Sequence, residues 1–63
     1  MAVQINEFLD ALRYSIEESA EPAIQSSLEY IRDFDEAGVL TNDKGLVVHM
    51  GATTFHVTVQ EVN

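Results

Sequence analysis

The chain contains no cysteine, and this absence limits both its architecture and its chemistry. No disulfide can stabilise the fold, no thiol can act as a nucleophile, and a zinc site built on cysteine is excluded. The 63 residues suffice for one domain at most, residues 1–63, in a size range where a single core is marginally stable on its own. We therefore predict a homodimer, formed through an open sheet edge or through apolar surface such as Tyr14, Tyr30 and Phe34.

Basic residues and long apolar segments are also scarce. Three Lys and Arg stand against eleven Asp and Glu, which gives a formal net charge of -8. This balance argues against nucleic acid or an anionic membrane as a direct ligand and favours a basic partner. No apolar run approaches the roughly 18 residues of a membrane span, and the N-terminus lacks the basic and apolar segments of a signal peptide. A cytoplasmic protein is expected.

The clearest structural pattern lies near the C-terminus, where two alternating runs flank Gly51 and Ala52. Gly at the first central position suits a two-residue hairpin turn, which would place Met50 opposite Thr53. One face of the hairpin then carries Leu46, Val48, Met50, Phe55, Val57 and Val59, and the other carries Val47, His49, Thr54, His56, Thr58 and Gln60. The apolar face requires a covering layer of helices.

Two amphipathic helices are predicted to form that layer. In the first, from Ile5 to Ile16, the apolar residues follow helical spacing, and the helix begins either at a cap on Asn6 or nearer Ala2. Pro22 interrupts the pattern because it lacks a backbone N–H. A second helix capped near Ser19 is favoured over one long helix kinked at the proline.

The second helix is predicted to continue through Leu28 and Ile31 and to end at Ala37, with Gly38 in the left-handed conformation. Residues 39–41 are a candidate third strand, followed by a turn at residues 42–45. The predicted fold class is therefore α+β, with two N-terminal amphipathic helices packed on a small antiparallel sheet of two or three strands.

The acidic side chains concentrate on the two predicted helices. Residues 1–38 hold nine acids and two arginines, a net charge of -7, whereas residues 39–63 hold two acids and one lysine, a net charge of -1. A solubilising face is the ordinary interpretation of such rows. Against it, three acids crowd the predicted C-terminal end of the second helix, where each carboxylate is unfavourable by about 0.3–1 kcal/mol. The candidate partner-binding residues are Glu7, Asp10, Glu17, Glu18, Glu29, Asp33, Asp35 and Glu36.

Other kinds of site have little support in the sequence. His49 and His56 are predicted to be diagonal neighbours roughly 7 Å apart on one sheet face. They lack a cysteine or a third ligand at the spacing of a zinc site. There is no phosphate-binding loop or nucleophile elbow, and so short a chain has little room for a catalytic cleft. We expect no enzyme, no metal site and no cofactor, and we predict non-catalytic binding.

The segment DKGLVVHMGATTFHVTVQEV, which follows an acidic helix and the ending DEAGVL, resembles the C-terminal hairpins of many small proteins encoded by bacterial phages and prophages. The resemblance covers about a third of the chain and includes no functional residue. It implies a role in the host bacterial cytoplasm, because small acidic phage proteins often block host machinery such as CRISPR effectors and restriction enzymes.

Two hypotheses for the function follow. The leading one is a non-enzymatic acidic protein that occupies a basic, nucleic-acid-binding surface of a host protein, with DNA mimicry as one form of this inhibition. The alternative is a small structural or assembly protein that acts as a homo-oligomer and carries its charge for solubility.

Overall fold

A computed structural model describes residues 2–62 and shows helices packed on a three-stranded antiparallel sheet. The elements in chain order are α1 (Ile5–Glu17), α2 (Pro22–Ser27), β1 (Leu28–Asp33), α3 (Phe34–Ala37), β2 (Lys44–Met50) and β3 (Thr53–Val59). The strand order is β1-β2-β3, so β1 and β3 are the two edges. The predicted α+β class is confirmed. Within residues 2–62, no helix has both the length and the apolar character needed to cross a membrane.

The C-terminal hairpin forms in the predicted register. Met50 lies opposite Thr53 and Leu46 lies opposite Val57, with every pair between them as expected. Gly51 has φ 58°, and among the described residues no residue other than glycine has a positive φ. A positive φ at only the first central position is the pattern of a type II′ turn, which matches the twist of the strands it joins.

The first helix is confirmed, and it covers the apolar face of the sheet. Gln4 rather than Asn6 occupies the N-cap of α1, and its side chain makes no capping hydrogen bond. The buried core cluster consists of Leu9, Ile31, Leu46 and Val48, with Leu12, Ile16, Leu28, Met50, Val57 and Val59 packed against it. Because α1 packs on β1 and β2, the apolar face of β3 is left partly open, and Phe55, which was expected in the core, is 51% exposed.

The predicted second helix is wrong over residues 28–33, which form β1. The helix α2 begins at Pro22, and its N-cap is Glu21 rather than the predicted Ser19. The helical interpretation relied on Leu28 and Ile31, whose spacing of three is typical of a helix face. In the structure a β-bulge at Glu29 adds one residue to β1, so both side chains reach the same face of the sheet.

The predicted helix ending at Gly38 is confirmed, although the helix before it, α3, is a single turn. Gly38 has φ 73°, and its N–H donates to the carbonyl of Asp35 at 3.2 Å. The N–H of Val39 donates to the carbonyl of Phe34 at 2.9 Å, which completes a Schellman motif. Residues 39–41 do not form a strand, so the third strand of the predicted meander is β1.

The face of the sheet opposite α1, which we call the second face, is partly covered by α3. Phe34, which was predicted to be surface available for self-association, is only 5% exposed, and Val47 on the same face is also buried. A Cβ atom added to Gly45 would lie 2.5 Å from two ring carbons of Phe34, which shows that the ring packs directly on this glycine. The second face is therefore not the ordinary solvent face that its threonines and histidines indicated.

Candidate functional site

The structure divides the eight predicted partner-binding residues into two groups. Four of them, which were predicted to form a row or cluster on the second helix, are Glu29, Asp33, Asp35 and Glu36. No such row exists, because these residues lie on β1 and α3 rather than on one helix. The predicted row on a second helix is therefore wrong, and each of the four acids has a contact within the chain.

Asp33 and Glu36 stabilise the start of α3. The carboxylate of Asp33 accepts the backbone N–H of Glu36 at 2.7 Å, and the carboxylate of Glu36 accepts the backbone N–H of Asp33 at 3.3 Å. This is a capping box. Asp33, Asp35 and Glu36 thus lie at the positive end of a short helix and not at the negative end of a long one, so the predicted local cost is absent. Asp35 also lies 3.9 Å from the Nζ atom of Lys44.

The other four acids form the predicted row on α1. Glu7, Asp10, Glu17 and Glu18 are all exposed, and Tyr14, which is 66% exposed, lies among them. At about 100° per residue these side chains fall within an arc of roughly 100° on the side of the helix opposite the buried Leu9. We call the surface formed by Glu7, Asp10, Tyr14, Glu17 and Glu18 the acidic face of α1.

Arg13, the cation of α1, does not neutralise this face. Its Nη2 atom donates to the carbonyl of Ile31 at 2.7 Å, and its Nη1 atom lies 3.3 Å from Glu36, so the guanidinium is turned towards β1 and α3. Its Nε atom lies 3.5 Å from Glu17, the one acid of the face that it reaches. The other three carboxylates have no ion-pair partner in the part of the chain that the structure describes.

The charge density of this face can be compared with that of DNA. Glu7 and Glu18 are eleven residues apart, which corresponds to about 16.5 Å along the helix axis, so the four carboxylates occur about once per 5.5 Å. One DNA strand carries a phosphate about every 3.4 Å along the axis, so the face has about 60% of that density. Tyr14 adds an exposed aromatic ring of the kind that often anchors protein interfaces.

A second cluster lies on the opposite face of the sheet, around His49. Its Nε2 atom is 3.3 Å from a carboxylate oxygen of Glu29, and its Nδ1 atom is 2.7 Å from the hydroxyl of Thr54. Tyr30 stacks on the imidazole with ring centroids 4.9 Å apart. The Cζ atom of Arg32 lies 4.6 Å from the centroid of the tyrosine ring. These contacts link all three strands. The bulge brings both Glu29 and Tyr30 opposite His49. Because the bulge could not be recognised from the sequence pattern, these contacts could not be predicted.

The two histidines are diagonal neighbours, as the register predicted. They have separate surroundings, however, because the ring of His56 packs against Phe34 at a centroid distance of 5.7 Å. Residues 2–62 include no group of three or more potential His, Cys, Asp or Glu ligands arranged to hold a metal ion. The geometry around the histidines is that of cross-strand packing.

Comparisons with protein-family models, with curated proteins and with solved structures gave no match.

Proposed function

We propose that this protein is a non-enzymatic binding protein whose acidic face of α1 docks on a basic surface of another protein. The observation that carries the proposal is the set of three exposed carboxylates, Glu7, Asp10 and Glu18, that lack an ion pair within residues 2–62 and surround Tyr14. Such charges steer a basic partner into contact, and the aromatic ring supplies apolar area for burial. The net charge of -8 acts in the same direction.

The narrower form of the proposal is an inhibitor that acts in the bacterial cytoplasm on an enzyme that handles nucleic acid, such as a CRISPR effector or a restriction enzyme. The basic groove of such an enzyme is complementary in sign to the acidic face of α1. The charge density, about 60% of that of one DNA strand, supports competition with nucleic acid for the groove. In this form the partner is a protein, and neither nucleic acid nor a membrane is bound directly.

The alternative is a small assembly protein that acts as a homo-oligomer. It is supported by the apolar side chains that remain exposed, since Phe8 and Phe55 are 50% and 51% exposed. Salt distinguishes the two functions. Binding through carboxylates weakens as salt screens the charges, whereas association through apolar surface persists or strengthens.

Two variants of equal charge test the proposal. The face variant is Glu7→Gln/Asp10→Asn/Glu18→Gln. The control variant, Glu21→Gln/Asp43→Asn/Glu61→Gln, neutralises three exposed acids that lie outside the acidic face. Each variant changes the formal charge from -8 to -5.

Each protein is immobilised and incubated with a bacterial lysate at about 50 mM and about 300 mM salt, and the retained proteins are quantified by mass spectrometry. We expect the control variant to retain the same basic proteins as the wild type at low salt, and the face variant to lose them. Equal retention by all three proteins, or equal loss from both variants, would contradict a role for this particular face.

The narrower form is tested by plasmid cleavage. Purified CRISPR effector nucleases and restriction endonucleases cut a target plasmid in the presence of increasing amounts of the protein. Inhibition that excess DNA reverses, and that requires more of the face variant than of the control variant, is the expected result. Cleavage unaffected by the wild-type protein would reject inhibition of the enzymes tested, and the lysate experiment would still decide the broader proposal.

A further inference from the structure

The two edges of the sheet differ in their protection against pairing with another strand. β1 has a bulge at Glu29 and carries two further charged side chains, Arg32 and Asp33. The Arg13 guanidinium also donates to the carbonyl of Ile31, in the middle of this strand, at 2.7 Å. Bulges, charges and occupied backbone groups are the devices that prevent edge strands from pairing. The β1 edge is closed in this sense.

β3 has none of these devices. Its sequence, TTFHVTV, has no charged residue, no proline and no bulge. The turn makes Met50 and Thr53 a hydrogen-bonded pair, and the alternation of the antiparallel ladder then directs the backbone groups of Thr54, His56 and Thr58 away from β2. Of the backbone hydrogen bonds found outside the helices and ladders of residues 2–62, none involves a β3 residue. Its outer edge is therefore open.

The sequence of β3 is suited to pairing with itself. His56 is the central residue of Thr53–Val59, so a two-fold axis at this position pairs the full length of two antiparallel strands. Thr54 then lies opposite Thr58 of the second copy, and Phe55 lies opposite Val57 of the second copy. Thr–Thr pairs and pairs of an aromatic with a β-branched residue are favourable across strands. The axis is perpendicular to the sheet, so the apolar faces of both copies remain on one side.

Charge and apolar surface are compatible with this pairing. Because α1 packs on β1 and β2, a strand spacing of about 4.8 Å puts the α1 helices of the two copies roughly 19 Å apart. This is about twice the screening length of ~8 Å at physiological salt, so the acidic faces repel each other weakly. The half-exposed Phe55 of each copy meets Val57 of the other. β3 has no Asp, Glu, Lys or Arg. This edge therefore carries no charge that would favour a basic partner over a second copy of the chain.

We propose that two copies of this chain form a symmetric dimer through antiparallel pairing of their β3 strands, with His56 on the two-fold axis and a continuous sheet of six strands, three from each copy. The interface does not include the acidic face of α1. The proposal is therefore independent of the proposed binding function, and the face variant should dimerise as the wild type does.

Single cysteines test the register, because the natural chain has none. In His56→Cys the two sulfurs lie on the axis, with Cα atoms about 5.5 Å apart, within the roughly 4.4–6.8 Å that a disulfide spans. In Thr54→Cys the two positions are offset by four residues, or about 13 Å, and cannot be joined. In Thr54→Cys/Thr58→Cys each cysteine again faces a partner. All three positions are exposed.

Under mild oxidation we expect His56→Cys and the double variant to form a covalent dimer of twice the 7.0 kDa chain, and Thr54→Cys to remain monomeric. Mass spectrometry under non-reducing conditions gives the readout. Absence of the dimer from His56→Cys, or equally fast crosslinking of Thr54→Cys, would overturn the proposal.

A pair of charge variants tests it without cysteine. Thr54→Lys/Thr58→Lys changes the net charge from -8 to -6, and Thr54→Lys/Thr58→Glu leaves it at -8. On net charge alone, the first variant would dimerise more tightly, because its copies repel each other less. The proposed register predicts the opposite, because it places lysine opposite lysine in the first variant and lysine opposite glutamate in the second.

Sedimentation equilibrium gives the dissociation constants, and circular dichroism shows that both variants are folded. We expect a dissociation constant at least about tenfold higher for the double-lysine variant. Equal values, or the reverse order, would contradict the pairing of these strands.

Discussion

Gly45→Ala tests the packing of α3 on the second face of the sheet. The added Cβ would lie 2.5 Å from the Cε2 and Cζ atoms of Phe34, and closer still to the carbonyl oxygen of Val57. The ring is buried and the oxygen belongs to the backbone of β3, so neither can move away freely. Overpacking of this kind costs about 1–3 kcal/mol, and contact with two such groups indicates the upper end of the range, about 3 kcal/mol.

This cost is large for so small a protein. At about 0.05–0.15 kcal/mol per residue, the free energy of unfolding of a chain of this length is about 3–9 kcal/mol. Each kcal/mol lowers the melting temperature of a domain of this size by about 4–8 °C, so Gly45→Ala should lower it by about 12–24 °C. Thermal unfolding followed by circular dichroism measures the change.

Gly38→Ala is the matched control. No atom lies within 4 Å of a Cβ added at Gly38, so only its φ of 73° disfavours alanine. The expected cost is about 1 kcal/mol, or about 4–8 °C. Adding Phe34→Leu to Gly45→Ala should recover part of the loss, because the smaller side chain leaves room for the methyl group. If Gly45→Ala melts no lower than Gly38→Ala, the ring of Phe34 does not pack on Gly45.

Two further predictions concern polar contacts. Asp33→Ala should lower the free energy of unfolding by about 0.5–2 kcal/mol, because it removes the capping box. Asp33→Asn should be nearly neutral, because Asn is an equally good N-cap. Urea unfolding measures both variants, and equal stabilities would show that the capping box is unimportant. Arg13→Met keeps the apolar stem but removes the bond to Ile31 and both ion pairs, and should cost about 1–2 kcal/mol because the side chain is only 34% exposed. Arg32→Met is the control, because it loses only the contact with a tyrosine ring. Equal losses of stability in the two variants would show that the hydrogen bond and ion pairs of Arg13 do not stabilise the fold.

The parts of the fold that local patterns determine could be predicted from the sequence. The turn at Gly51 and the alternation of Leu46, Val48 and Met50 independently specify the same register, so the hairpin was predicted pair by pair. The apolar stripe of α1 and the left-handed Gly38 are local signals of the same kind. Each of these features forms with little help from distant residues.

β1 could not be predicted because its pattern is ambiguous. A regular strand would place its core residues two or four apart, but the bulge at Glu29 gives Leu28 and Ile31 the spacing of a helix. Only pairing with β2, a contact between distant parts of the chain, determines that the segment is a strand. The stack on His49 depends on the same bulge and was missed for the same reason.

The acids of the candidate site were placed correctly only where their secondary structure was predicted correctly. The acids of α1 were predicted correctly as a row because their helix was predicted correctly. For Asp33, Asp35 and Glu36 the error in element boundaries reversed the sign of the helix-dipole interaction, since residues assigned to a C-terminal end lie at an N-terminal end. The sign of the interaction between a charge and a helix dipole depends on which end of the helix lies near the charge.

The acidic face of α1 is tested most directly by the salt dependence of binding to the partner that the wild-type protein retains from lysate. Dissociation constants are measured from about 50 mM to about 500 mM salt for the wild type, the face variant and the control variant of equal charge. We predict steep and similar weakening with salt for the wild type and the control variant, and weaker, less salt-dependent binding for the face variant. Three superimposable curves would contradict the role of this face, and so would equal losses from the two variants, because charge would then act only through its total.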